Sequence, residues 1–254
     1  MKRLNLSPLT ESATLLRRAA VLLGSVGLTA LYSLLVLLRA VFGRLNRPIV
    51  DKYCRGWSTT LLKLVRANLT VRGEVPDFSD GRRYIIMSTH ASHYDIPVSF
   101  VSLPGSIRML AKKELFRIPL LGQAMRAAEF PAIDRSNRSV ALRDLEKARM
   151  MMESGIVLWA APEGTRSADG TLLPFKKGCF HLALDTEAVI VPVAIRGISQ
   201  VLPARSLQIN LGQPVEVRVG SPIDTSGRGK EDLAQVMLEV RQSLEALLGD
   251  GEPE

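Results

Sequence analysis

From Ala19 to Leu38 the chain carries no charge, and Arg17-Arg18 and Arg39 bracket the stretch. In an apolar medium its backbone polar groups can be satisfied only within a helix. At about 1.5 Å per residue that helix reaches about 30 Å, the hydrocarbon thickness of a bilayer. The apolar core is longer than that of a secretory signal. Arg39-Ala40-Val41-Phe42-Gly43-Arg44 also lacks a small-residue cleavage pattern, so the segment is expected to be retained. Lys2, Arg3, Arg17 and Arg18 precede it, and Arg39, Arg44, Arg47, Lys52 and Arg55 follow. Positive charge on both flanks places both ends on the cytoplasmic side, which favours insertion into one leaflet over a simple span. Ser25, Thr29 and Ser33 fall at i, i+4 and i+8. This hydroxyl stripe either packs on another helix or bonds back to its own carbonyls.

Arg47-Pro48 breaks the first helix, and the spacing predicts a second from Ile49 to about Asn68. Ile49, Tyr53, Trp57, Thr60, Leu61 and Leu64 share one face, with Lys52, Arg55, Lys63 and Arg66 opposite. Such a helix either lies in a membrane interface or packs on a domain core with its basic side chains snorkelling. The preceding apolar helix favours the interface. Residues 1–68 are therefore expected to form a two-helix membrane-binding unit, and residues 69–254 a separate α/β domain.

A length of 254 residues suits one such domain. With 33 Lys+Arg against 25 Asp+Glu the formal charge is +8, so some surface attracts anions, either nucleic acid or anionic lipid. A hydrophobic share of 46% favours lipid, and 5% aromatic residues leave few base-stacking platforms, so no nucleic-acid partner is expected. Cys54 and Cys179 lie far apart without metal-ligand spacing, as ordinary reduced thiols of a cytoplasmic setting do.

From Leu69 onward short apolar runs alternate with helical patterns. Strands are predicted at Tyr84–Ser88, Ile107–Ala111, Phe130–Ile133, Ile156–Ala160 and Val189–Ile195, the last interrupted by Pro192. One or two more fall between Leu207 and Val219. Helices are predicted near Lys113–Phe116, at Val140–Met152, Phe175–Asp185 and Leu233–Leu247. The fold class is α/β, a central largely parallel sheet flanked by helices, in which ligands sit at the carboxyl ends of strands.

Two polar blocks follow predicted strands and so share that edge. Thr89-His90-Ala91-Ser92-His93-Tyr94-Asp95 holds a histidine and a carboxylate, the minimum needed to take a proton from a hydroxyl. His90 and Asp95 cannot meet on a regular helix, but can if His90 lies on the strand-to-helix turn and Asp95 opens the helix. The alternative is an N-cap aspartate beside a loop histidine. Pro162-Glu163-Gly164-Thr165-Arg166-Ser167 is either a phosphate clamp or a strand-to-loop turn, with Arg166 suited to forked bonds to phosphate. Ile133-Asp134-Arg135 and Phe175-Lys176-Lys177-Gly178 add cations near strand or loop ends.

These blocks, with Lys112-Lys113-Glu114-Leu115, Pro119, Gly122 and Val191-Pro192-Val193, resemble the 1-acylglycerol-3-phosphate acyltransferases of the phospholipid/glycerol acyltransferase superfamily. The resemblance runs from about Tyr84 to Val193. The chain departs from the family pattern at Thr89 (usually Asn), Ala161 (usually Phe), Glu129 (usually Gly) and Pro131-Ala132 (usually more hydrophobic). The resemblance implies a glycerol-3-phosphate acyltransferase-like fold. It also implies transfer of a fatty acyl group from acyl-CoA or acyl carrier protein to the free sn-2 hydroxyl of 1-acyl-glycerol-3-phosphate, making phosphatidic acid. His90 would be the general base and Asp95 its partner, while Glu163, Gly164, Thr165, Arg166, Arg135 and Lys112 would bind substrate. No metal or bound cofactor is implied. Attachment to the inner cell membrane, with the catalytic domain on the cytoplasmic face, would follow. Other readings are acylation of a different lyso-lipid, a membrane-bound thioesterase or lipase that uses water, and a catalytically silent membrane-binding protein.

Overall fold

In a computed structural model, residues 11–134, 138–168 and 170–249 are described. After a short strand β1 (Glu11–Ser12), the uncharged stretch lies within helix α1 (Leu15–Val41), whose N-cap Thr14 accepts from Arg17 N. Ser25 and Thr29 donate to the carbonyls of Val21 and Ser25 at 2.7 and 2.8 Å. Thr29 also accepts from Trp57 Nε1 at 3.1 Å on helix α2 (Arg47–Leu64), so both alternatives for the hydroxyl stripe occur together. Asn46 caps α2 by accepting from Ile49 N, and Pro48 sits in its first turn, where no intrahelical donor is needed.

The α/β region begins with β2 (Asn68–Arg72) and β3 (Tyr84–Ser88), followed by α3 (Asp95–Ser102), β4 (Ile107–Met109) and β5 (Ala111–Lys112). A 3-10 turn, Lys113–Arg117, leads to α4 (Leu121–Ala127), β6 (Ala132–Ile133), α5 (Arg138–Glu153) and β7 (Val157–Ala160). Then come α6 (Gly178–Asp185), β8 (Val189–Arg196), α7 (Ile198–Val201), β9 (Asn210–Leu211), β10 (Pro214–Val219), β11 (Ile223–Asp224) and α8 (Leu233–Leu248). The main sheet has the order β2-β10-β8-β3-β7-β4, with β11 also beside β8. The pairs among β3, β4, β7 and β8 are parallel, as is β2 with β10; β10 and β11 run antiparallel to β8.

Period-two alternation divides the core. Tyr84 and Ile86, Val157 and Trp159, and Val189, Val191 and Val193 face one layer with Leu61, Leu62 and Val98. Ile85, Met87, Leu158 and Ile190 face the other, against Met152, Phe180, Val240 and Leu244. Each such aliphatic side chain, once fully buried, contributes about 1.5–3 kcal/mol. Helices α1–α3 thus cover one face and α5, α6 and α8 the other.

Three expectations are revised. The Ile107–Ala111 run divides into β4 in the main sheet and β5, which leaves it to pair with β6. Pro192 does not interrupt β8, because it lies between the β10 pairing, which ends at Val193, and the β11 pairing, which begins at Ile190. No ladder donor is needed at that point. The apolar face of α2 is not left for a membrane interface, for α1 and α3 cover it, and Val50, Leu61 and Leu62 are buried. Polar bonds fix this placement. Asp51 takes Arg108 Nη1 at 2.7 Å, and Arg108 is fully buried on β4, donates to Ala128 O at 2.7 Å and lies over the Phe130 ring. Arg47 forks onto Glu129, both bonds at 2.8 Å, and reaches Ser154.

Candidate active site

Strand β3 ends at Ser88, but Thr89 carries its pairing with β8 two residues further. Its N–H donates to Val193 O at 3.1 Å and its hydroxyl accepts from Ile195 N at 3.0 Å. The chain then turns at His90 and enters α3 at Asp95. The turn brings His90 Nδ1 within 2.7 Å of Asp95 Oδ2. That oxygen also accepts the backbone N–H groups of Ala91 at 2.8 Å and Ser92 at 2.9 Å. An oxygen already accepting two N–H groups can only accept from the imidazole as well, so the proton lies on Nδ1 and the Nε2 lone pair is left free. Asp95 is fully buried, whereas the His90 side chain is 20% exposed. Trp159 on β7 packs edge-on against the His90 ring, with centroids 5.8 Å apart. Ser92 locks the turn by donating to Leu202 O at 2.8 Å.

The second block closes over the first. Glu163 is buried, accepting from His90 N at 3.2 Å through one oxygen and from Leu173 N at 2.9 Å through the other. Burial raises its pKa, against the opposing pull of those two N–H groups. Ser167 N donates to His90 O at 2.7 Å, so both backbone groups of His90 are held by this loop. Gly164 turns the loop at φ 72 with its N–H on Ala161 O, a conformation that excludes a β-carbon at little cost only for glycine. Thr165 is exposed.

Arg166 is half-buried and has no hydrogen-bond or ion-pair partner among the described residues. Its charge reaches His93, which stands on the exposed rim. Partial desolvation and then the fields of Arg166 and His90 pull the His93 pKa below its ordinary value. A guanidinium unpaired among the described residues and near His93 is a ready anion site. A cavity of about 170 Å³ opens on another side of His90, lined by Thr89, Glu163, Thr171, Ile195 and Ser199.

Among the described residues no hydrogen bond or ion pair joins Lys112 to this cluster; it is exposed on β5 with Glu114 at 3.7 Å. Its neighbour Lys113 bonds Asp134 at 2.7 Å. Arg135 lies outside the described residues. A larger concavity, about 970 Å³, opens at the amino ends of the strands, among Asp77, Arg82, Gly105 and Glu153. It lies at the edge of the sheet away from His90, and ligands of parallel sheets bind at the carboxyl ends.

Thr89, Ser92, Trp159 and Ser167 were missed as supports of the site. Trp159 carried a signal, since alternation from Leu158 points it to the opposite layer next to the strand end. The other three act through distant backbone groups that no local spacing reveals.

The geometry defines a class: an α/β protein with a hydrogen-bonded histidine–aspartate pair and an arginine unpaired among the described residues at the carboxyl edge of its sheet. The Acyltransferase family profile matches residues 68–196, and the chain belongs to that family. It is 33% identical over 228 residues to a 1-acyl-sn-glycerol-3-phosphate acyltransferase of Cocos nucifera, covering 89% of this chain and 72% of that one. It is 32% identical to the human 1-acyl-sn-glycerol-3-phosphate acyltransferase alpha, over 66% of this chain and 59% of that one. The crystal structure of the 1-acyl-sn-glycerophosphate (LPA) acyltransferase PlsC from Thermotoga maritima superposes with a TM-score of 0.73 at 27% identity. That match covers 92% of this chain and 95% of the other.

Proposed function

We infer that this protein transfers a fatty acyl group from a thioester to the sn-2 hydroxyl of 1-acyl-glycerol-3-phosphate, yielding phosphatidic acid and a free thiol. The observation that carries this reading is the His90–Asp95 pair beside an arginine without a carboxylate partner among the described residues. Family membership and the names of the relatives support it. Nε2 of His90 takes the hydroxyl proton as the oxygen attacks the thioester carbonyl. Asp95 stabilises the imidazolium that forms, as the carboxylate does in hydrolase triads. The tetrahedral intermediate expels the thiolate, which takes the proton back from Nε2. No covalent acyl-enzyme is required. Arg166 receives the acceptor phosphate, Arg135 and Lys112 are further cations for it, and Glu163, Gly164 and Thr165 shape the loop that presents Arg166. The donor is acyl-CoA or acyl carrier protein.

Attachment to the cytoplasmic face of the cell membrane is part of the same reading. Helix α1 is long and apolar enough to cross a bilayer by length and composition, with 17% of its most apolar window buried. Yet Val21 packs into the main core and Val36 against α4, so both halves of the helix lie along the domain. Leu16, Leu23, Leu34 and Leu38 form an exposed stripe on the outer side. That arrangement supports insertion into one leaflet. Residues 1–68 then serve attachment and residues 69–254 catalysis, with α2 joining the two.

The test is labelled acyl transfer from acyl-CoA and from acyl carrier protein to a panel of lyso-lipids, glycerol-3-phosphate and water. Preference for 1-acyl-glycerol-3-phosphate, lost in Arg166→Ala, is expected. Release of free fatty acid regardless of acceptor would identify a thioesterase instead.

A further inference from the structure

The segment between β5 and α4 presents apolar side chains to solvent on a braced and strained support. Phe116 is buried, but Leu115, Ile118 and Leu120 are 41%, 44% and 42% exposed. Leu120 has φ 63 and ψ −56, and Leu121 N donates to Pro119 O at 2.7 Å. Those are the dihedrals and the i to i+2 bond of a γ-turn strained by a β-carbon. The turn is held rigidly. Arg126 donates to Phe116 O at 2.8 Å and lies over the Phe116 ring, Gly122 N bonds Ile118 O at 2.8 Å, and a Cβ at Gly122 would collide with the Phe116 backbone.

Burial of the Leu120 side chain does not offset this strain, since that side chain is 42% exposed. Helix α4, which the turn opens, packs on α1, the helix that carries the exposed leucine stripe. Lys112, Lys113, Arg117 and Arg126 are exposed around that turn, with Glu114 the only carboxylate from Lys112 to Arg126. Apolar tips ringed by cations suit the boundary between headgroups and acyl chains of an anionic bilayer.

We propose that residues 115–120 form a second membrane-inserting contact, which seats the β5–β6 edge at the bilayer surface where a lysophospholipid acceptor enters. The proposal rests on the membrane reading of α1, and its test separates the two. An environment-sensitive thiol-directed fluorophore is placed in the full chain at Leu120→Cys, Leu34→Cys or Ser226→Cys. The native thiols label poorly, since Cys179 is buried and burial pushes the Cys54 thiol up to about 12. The protein is reconstituted into vesicles of phosphatidylethanolamine and phosphatidylglycerol, three to one. Lipid-like emission at positions 34 and 120, quenched by acyl-chain nitroxides, with aqueous emission at 226, is expected. An aqueous signal at 120 with a lipid-like one at 34 overturns the proposal. Aqueous signals at both overturn the membrane reading as well.

Leu120→Gly supplies a second measurement that loss of folding does not mimic. Glycine relieves the turn, so Tm should rise by about 2–4 °C. At the same time KM for vesicle-borne lysophosphatidate should rise roughly three- to tenfold, with kcat and the use of a short-chain soluble acceptor unchanged. A lower Tm, or an unchanged KM in vesicles, contradicts a lipid contact at Leu120.

Discussion

Oδ2 of Asp95 holds three N–H groups at once, His90 Nδ1 and the amides of Ala91 and Ser92, while Oδ1 is buried without a partner among the described residues. One oxygen therefore fixes both the turn and the imidazole tautomer. His90→Ala should lower turnover by roughly 10²-fold or more, the scale of a positioned base. Asp95→Asn keeps an acceptor in place but removes the charge that stabilises the imidazolium. A comparable fall with an unchanged circular dichroism spectrum is expected. Near-normal transfer by folded His90→Ala would falsify the mechanism.

Arg166 has no hydrogen-bond or ion-pair partner among the described residues, so removing its side chain breaks no such contact of the fold. Arg166→Ala should cost about 1.5–3 kcal/mol of transition-state binding, roughly 10- to 150-fold in kcat/KM for lysophosphatidate. Thermal stability should stay within about 0.5 kcal/mol of the parent. Equal use of a zwitterionic lyso-lipid by parent and variant is the outcome that would remove Arg166 from the acceptor site.

The fully buried Arg108 depends on Asp51 of α2 for its counter-charge. Asp51→Ala strands that guanidinium and should destabilise the protein by about 3–5 kcal/mol. Urea denaturation measures this directly. A change below about 1 kcal/mol would mean that α2 is only loosely attached to β4.

Glu129 has φ 60, a left-handed conformation that explains why glycine is usual there in the resembling family. Here its carboxylate forks onto Arg47, and the hydrogen bond to Arg47 lowers the Glu129 pKa. A lowered folded pKa gives stability that is present above the unfolded value near 4.5 and is lost as pH falls through the folded one. The parent should therefore lose stability on acidification below that value more steeply than Glu129→Gln. Glu129→Ala keeps the strain and loses the pair, so it should be less stable than Glu129→Gly by about 1 kcal/mol. The reverse order in thermal melts would show that the backbone strain is not felt.

Much was legible in the sequence because its signals were local. Twenty uncharged residues required α1, the run Tyr84–Ser88 required a buried strand, and His90-x4-Asp95 after that strand allowed histidine and carboxylate to meet on one turn, with an N-cap aspartate as the alternative. Periodicity also showed that α2 has an apolar face, but not what covers it. Contacts between residues far apart decided that. Asp51 reaches Arg108, Trp57 reaches Thr29, and Arg47 reaches Glu129, so α2 turns its apolar face to protein. Likewise the family resemblance implied a substrate contact for Glu163, and the tertiary structure placed it under the His90 backbone, 73 residues away. Hydrophobic period is a property of neighbours along the chain, whereas the partner of a buried charge is set by which elements meet. The sequence by itself determined the long helices and the buried strands, and it put His90 and Asp95 within reach of one turn. Only the packed structure determined how the helices lie on the sheet and that Arg166 has no partner among the described residues.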